Sequence, residues 1–265
     1  MRVRLDLAYD GTDFAGWAFQ HEQRTVQGEL ERALAVLSRR EDLPRVTVAG
    51  RTDAGVHASG QVAHIDLPVE VAEDRLLRRL NGLLPPDVRV RAVSVVPEAF
   101  DARFSGMART YRYRVADGPE QVDPLRRRDT LVWPQALDLA AMQEASQLLL
   151  GLHDFAAFCK RRDGATTVRT LLQLDWARED VLVATVRADA FCHSMVRALV
   201  GCLVVVGEGK QPPEWAAEVL AGRERTTGFS VAAAHGLTLE EVGYPDDADL
   251  AAQAEQARAR RVLDA

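Results

Sequence analysis

"RVTVAGRTDAGVHASGQVAHIDL", residues 45–67, decides how the fold is read. The ends, RVTVAG and GQVAHIDL, are spaced as two strands, and between them lies a loop of small residues that displays Arg51 and Asp53. Before this stretch, Val3, Leu5, Leu7 and Tyr9 alternate with Arg2, Arg4 and Asp6, the period of a half-buried strand. After a glycine-containing loop, Val26, Leu30, Ala33, Leu34 and Leu37 share one helical face, with Thr25 placed as N-cap. Beyond residue 67, Leu76, Leu77, Leu80, Leu83 and Leu84 mark a second amphipathic helix, stopped by Pro85 and Pro86, and VRVRAVSVV (88–96) reads as a further strand. The order is β-α-β-β-α-β, the ferredoxin-like arrangement of an antiparallel sheet with both helices on one face.

The order recurs. ARTYRYRVA (108–116) alternates like a strand, and Leu139, Met142, Ala145, Leu148 and Leu149 predict a helix ending near Gly151 as C-cap. TTVRTLLQLDW (166–176) and VLVATVRA (181–188) predict strands joined by a polar turn at Arg178–Asp180. SMVRALVGCLVVVGEG (194–209) predicts a largely buried helix, and GLTLEEVGY (236–244) a last strand. The expected class is α+β: two ferredoxin-like units joined into one extended, mainly antiparallel sheet, with helices on one face and a central cleft. The expected domains are 1–104, with the aspartate loop, and 105–245, followed by a charged, alanine-rich tail, 246–265.

The chain has 265 residues and a formal net charge of −6, which in bulk counts against a nucleic-acid partner. The basic residues are clustered, however, in RRLNGLLPP, PLRRRD and FCKRRDG, and nearly all are arginine, the side chain suited to phosphate forks and base stacking. No apolar run is long enough to span a membrane, and the opening MRVRLDLAYD alternates like a strand rather than a leader. Cys159, Cys192 and Cys202 have no CxxC spacing, and their odd number points to a reducing cytoplasm with all of them as small buried apolar residues.

Arg51 and Asp53 stand two apart at the end of a strand, with Gly50 and Gly55 freeing the backbone to turn. A neighbouring guanidinium keeps a carboxylate ionised, as a nucleophile must be. The competing reading is an Asx-turn, with Asp53 capping its own loop. Glycosidase chemistry wants a second carboxylate that is not evident. His57 and His64, or Cys192 with His193, do not make up a metal-ligand cluster. No phosphate-binding glycine motif signals a nucleotide cofactor.

GRTDAGVHASGQVAH (50–64), together with YDGTDFAGWAFQ (9–20), ARTYRYRV (108–115), FCHSMVRALVG (191–201) and AHGLTLEEVGYP (234–245), resembles the tRNA pseudouridine synthase A family. GLHDFAAF and TTVRTL fall in register too, so the resemblance covers the chain up to Pro245. It implies a metal-free, cofactor-free isomerisation of uridine to pseudouridine at tRNA positions 38 to 40, in the anticodon arm, by a homodimer. It implies that Asp53 is the nucleophile, that Arg51 levers the base from its stack, and that Tyr111 stacks on the uracil and relays its C5 proton. Arg197 would pair with the aspartate, and Phe191 and Met195 would wall the uracil. His57 and Gln61 are candidates for substrate contact. The candidate RNA face comprises Arg75, Arg78 and Arg79, Arg126, Arg127 and Arg128, and Lys160, Arg161 and Arg162. A catalytically inactive tRNA-binding module or chaperone is the alternative; the presence of both Asp53 and Tyr111 argues against it. SVAAAH (230–235) departs from the family's usual prolines, in a loop away from the chemistry.

Overall fold

The alternation of the first strand is realised residue by residue. In the computed structural model, which describes residues 1–39, 45–68, 72–160, 166–224 and 227–259, β1 (Arg2–Tyr9) buries Val3, Leu5 and Leu7 completely and turns the residues between them outward. Contacts divide the chain into two units, Met1–Met107 with Leu239–Ala259, and Ala108–Thr238.

In the first unit, α1 (Val26–Ser38) buries Val26, Leu30, Ala33 and Leu34, and the Thr25 hydroxyl accepts from the Gly28 amide at its start. β2 (Thr47–Val48) and β3 (His57–Asp66) run antiparallel, followed by α2 (Glu73–Leu83), with Leu76 and Leu80 inward, and β4 (Val88–Val96). β1 pairs antiparallel with both β3 and β4, giving the order β4-β1-β3 with β2 alongside β3. The free backbone of β4 is met by a side chain: Asn81 donates to Val90 O (2.8 Å) and accepts from Val90 N (2.9 Å), which blunts the sheet edge.

The second unit opens with β5 (Ala108–Ala116), paired in parallel with the short β6 (Leu131–Val132). Then come α3 (Leu139–Gln147), β7 (Gly151–Asp154), β8 (Val168–Arg178), β9 (Leu182–Ala188), α4 (Met195–Gly207) and α5 (Trp215–Gly222). Its strands follow the order β5-β9-β8-β7, antiparallel at every step. α4 is apolar on nearly every side and nearly every side is covered.

The last strand, β10 (Leu237–Gly243), belongs to the first unit from Leu239 onward, where the Ser59 hydroxyl on β3 donates to Leu239 O (3.4 Å). The last helix among the described residues, α6 (Leu250–Arg258), buries Leu250 and Ala254. The class is the expected one, α+β with mostly antiparallel strands. β7 and α5 are additions: GLHD has no apolar alternation, and Gly151, expected as a helix C-cap, opens β7 at φ 108° after α3 has stopped at Gln147. Among the described residues no helix is long and apolar enough to cross a membrane.

Candidate active site

The Asp53 loop leaves β2 and re-enters β3, and it is held backbone group by backbone group. Ala49 N donates to Val62 O (2.8 Å), Trp17 N to Thr52 O (3.0 Å), Gly55 N to Phe14 O (3.3 Å), and Val56 N to Asp53 O (3.2 Å) across a turn in which Gly55 sits at φ 77°. The Thr52 side chain points inward and its Oγ1 lies 2.8 Å from Tyr9 Oη, while Arg51 on one side is exposed and Asp53 on the other is half-buried. Burial pushes the Tyr9 hydroxyl up to about 12, so it stays neutral and serves the loop as a hydrogen-bonding group.

The YDGTDFAGW stretch lies directly against this loop because two of its residues lack a side chain. A Cβ on Gly11 would fall 2.0 Å from Val56 O, and one on Gly16, at φ 97°, 2.8 Å from Thr52 O. No other residue permits that approach. The motif is the mould in which the aspartate loop is cast, a role that its sequence does not reveal without the contact.

Gln61 and His57, expected at the substrate, belong to the same support. Gln61 is fully buried, and its Nε2 donates to Gly50 O (2.8 Å) and to Tyr9 Oη (3.1 Å). His57 is 6% exposed and its Nδ1 accepts from Gly11 N (2.9 Å). Asp10 Oδ1 lies 3.1 Å from that nitrogen, but it takes hydrogen bonds from the Thr12 amide and hydroxyl (3.0 and 2.6 Å). By accepting from Gly11 N, His57 braces the YDGTDFAGW stretch against the start of β3.

The other candidate residues lie in the second unit. Tyr111, on β5 and 7% exposed, meets the edge of Phe191 with ring centroids 5.1 Å apart at 88°. Tyr113, two residues on, is fully buried; its hydroxyl donates to Ala233 O (2.7 Å), and burial raises its pKa. The Tyr113 hydroxyl is thus committed to the core. Met195 is buried at the start of α4, and half-buried Arg197 in its first turn donates through Nε to Ala232 O (2.7 Å), while Ala232 N donates to Arg197 O (3.0 Å). The backbone of the SVAAAH segment thus meets both the side chain and the backbone of Arg197.

Cys159 and Cys192 correct the sequence reading. They form a disulfide across 33 residues, whereas Cys202 is a buried free thiol pushed up to about 12 by desolvation. Neighbour spacing was no guide, because β8 and β9 bring together positions far apart in the chain.

The arginines divide by partner. Arg126 is half-buried and makes a bidentate pair with Asp129 (3.0 and 2.7 Å) instead of facing solvent freely, and Arg127, exposed, donates to Pro124 O (3.1 Å). Arg128 and Lys160 are exposed. Arg75, Arg78 and Arg79 are exposed on α2, where Arg78 lines an open hollow of about 500 Å³ with Arg89 and Arg91 of β4. Arg161 and Arg162 lie outside the described residues. Among the described residues no group of three or more His, Cys, Asp or Glu is placed to hold a metal ion.

Residues 145–245 match a family model described as tRNA pseudouridine synthase. Three relatives named tRNA pseudouridine synthase A match nearly end to end. That of Frankia casuarinae is 59% identical, covering 99% of this chain and 96% of the relative. That of Streptomyces griseus is 57% identical over 99% and 95%, and that of Mycobacterium leprae 49% over 96% and 93%. This chain belongs to the tRNA pseudouridine synthase A family, and so to the isomerases.

Proposed function

We propose that this protein converts uridine to pseudouridine at positions 38 to 40 of the tRNA anticodon stem-loop, with Asp53 as nucleophile. The observation that carries the reading is a half-exposed carboxylate fixed on a rigidly braced loop, in a chain that matches its relatives end to end. The reaction breaks the N1–C1′ bond, turns the uracil and joins C5 to C1′, and the C5 proton leaves for N1. Nothing is oxidised and no water is consumed, so one carboxylate suffices and no cofactor is called for.

Arg51, exposed two residues before Asp53, is the wedge that holds the emptied place of the flipped base. Tyr111 is the stacking and proton-relay residue, a choice supported by the engagement of Tyr113 with Ala233. Phe191 and Met195 flank the base, and Arg197 supports the nucleophile's charge; these roles rest on the motifs that contain them.

Phosphate contacts fall to the exposed arginines that no carboxylate neutralises. Arg75, Arg79, Arg89 and Arg91 make no ion pair among the described residues, in contrast to Arg2, Arg24, Arg114 and Arg126. The working form is a cytoplasmic homodimer in which one subunit holds the tRNA body presented to the other's Asp53. The test is metal-free enzyme with chelator on unmodified tRNA that carries uridine at 38, 39 and 40, followed by mapping of pseudouridine. Product at those positions is expected; product elsewhere, or none, overturns the reading. Sedimentation of the pure protein decides the dimer.

A further inference from the structure

The disulfide is fastened to the stretch of chain that carries much of the proposed substrate site. Cys159 closes the turn Ala156–Phe158, rooted in the core through Phe158, which is 1% exposed and stacked on Phe229 at 5.8 Å. Cys192 lies between β9 and α4: the ring of its neighbour Phe191 stands against Tyr111, its carbonyl accepts from Met195 N (3.1 Å), and Arg197 follows in the first turn of the helix. The two Cα atoms are 5.7 Å apart, and Lys160 N donates to His193 O (3.1 Å) beside them.

A chain of this size with so extensive a core does not need a covalent staple to fold. Disulfides in a reducing compartment are typically transient and redox-sensing rather than structural.

We propose that Cys159–Cys192 is a reversible thiol–disulfide switch on the Phe191–Arg197 segment, with the dithiol as the working form and the disulfide as a slowed form. The inference rests on the pseudouridine synthase reading for its effect on turnover, though not for the bond itself. Tyr111 is 7% exposed and the Phe191 ring stands edge-on to it at 5.1 Å, so a base that stacks on Tyr111 displaces surroundings that Phe191 is part of. A bond one residue away, anchored in the core through Phe158, removes that freedom. The phosphate contacts proposed above, Arg75, Arg79, Arg89 and Arg91, lie in the first unit, so tRNA affinity is expected to change little. The oxidant is a low-molecular-weight disulfide. Cys192, half-buried where Cys159 is 3% exposed, attacks it as thiolate and releases one small thiol. Cys159 then attacks the mixed disulfide at the Cys192 sulfur and releases the second. The two protein thiols give up two electrons, and their protons are taken up by the two released thiolates.

The experiment compares wild type treated with dithiothreitol or with oxidised glutathione, each reagent then removed. Intact mass and peptide mapping are expected to show a 159–192 crosslink, lighter by about 2 Da and without a glutathione adduct. Hydrogen exchange at the amides of 191–197 slows in the oxidised form. Single-turnover isomerisation of tRNA slows about tenfold while tRNA binding is unchanged, and dithiothreitol restores the rate. Cys192→Ser turns over at the reduced wild-type rate in both treatments, whereas Cys159→Ser, which lacks the resolving thiol, stops at the Cys192–glutathione adduct. An oxidised protein that carries only adducts, or equal exchange in the two forms, overturns the switch. Equal or faster turnover of the crosslinked form overturns its direction. If reduced wild type isomerises no uridine, the function reading falls, and mass and exchange still judge the switch.

Discussion

The Asp53 loop and the Tyr111–Arg197 region are positioned by different physics. Residues 49–56 belong to no strand or helix, so no ladder supplies their partners: Ala49 N, Gly50 O, Thr52 O and Gly55 N are met singly by Val62, Gln61, Trp17 and Phe14, and the Thr52 hydroxyl by Tyr9. Tyr111 and Arg197 ride on β5 and α4, whose backbones are satisfied internally and whose places are set by buried apolar faces. The first region therefore tolerates a changed carboxylate but not an added atom beneath it. The second tolerates small volume changes but depends on which hydroxyl and which cation the frame presents.

Asp53→Asn breaks the comparison at its most sensitive point. The amide keeps the shape and leaves the loop's backbone bonds in place, yet removes the anion. Pseudouridine formation is expected to fall by more than about a thousandfold, with melting temperature and tRNA affinity unchanged. Tritium release from C5-labelled tRNA measures the first and filter binding the last. Residual turnover near wild type would leave the loop a brace without a nucleophile.

Tyr111→Phe and Tyr113→Phe sharpen the contrast within one strand. Tyr111→Phe should cost about a hundredfold in turnover, the scale of a lost general acid–base group, with little loss of stability. Tyr113→Phe strips Ala233 O of its donor and should cost about 1–3 kcal/mol of stability while the folded enzyme turns over normally. The opposite pattern would exchange the roles of the two residues.

Gly11→Ala and Gly50→Ala test the mould. A Cβ on Gly11 meets Val56 O at 2.0 Å, so the loop must shift, and about 2–4 kcal/mol should be lost in urea unfolding. Gly50 has nothing within 4 Å of its Cβ, and the change there should stay within about 0.5 kcal/mol. Equal costs would mean that YDGTDFAGW does not shape the loop.

What was legible in the sequence follows the same division. Strands and helices announce themselves by period, so β1, α1, α2, β5 and α4 could be read from spacing alone. β7 could not, because Gly151–Asp154 has no apolar alternation and forms by pairing with β8. Asp53 stood out because a lone carboxylate between small residues is chemically conspicuous. The tasks of Gln61, His57, Gly11 and Gly16 were hidden: each depends on a neighbour far along the chain, and a buried glutamine prop reads like an exposed RNA contact in one dimension. The Cys159–Cys192 bond was hidden for the same reason.

The smallest expected effect concerns the polar fastening at the far end of β5 from Tyr111. Asp117, whose side chain is 1% exposed, accepts from both Arg178 Nη atoms (2.6 and 2.9 Å) and from Leu137 N (2.9 Å). Arg178 holds its carboxyl below the usual carboxylate range against the burial that pushes it up, and the Leu137 amide adds to the lowering. A folded pKa below the unfolded value of about 3.9 stabilises the protein fully above that pH, and the contribution is lost as pH falls through the folded value. Arg178→Met removes the largest cause and leaves the burial. At pH 7 the variant should be less stable by about 1–2 kcal/mol, a figure reduced from that of a fully buried pair because the Arg178 side chain is 40% exposed. Below the folded pKa of Asp117 the carboxyl is neutral in both proteins, so the gap should close. Urea unfolding across a series from neutral pH downward measures the narrowing of the gap, with turnover at neutral pH unchanged because neither residue belongs to the site. A gap that stays constant with pH would show that Arg178 acts through the packing of its stem, and the second region would then owe its place to apolar contact alone.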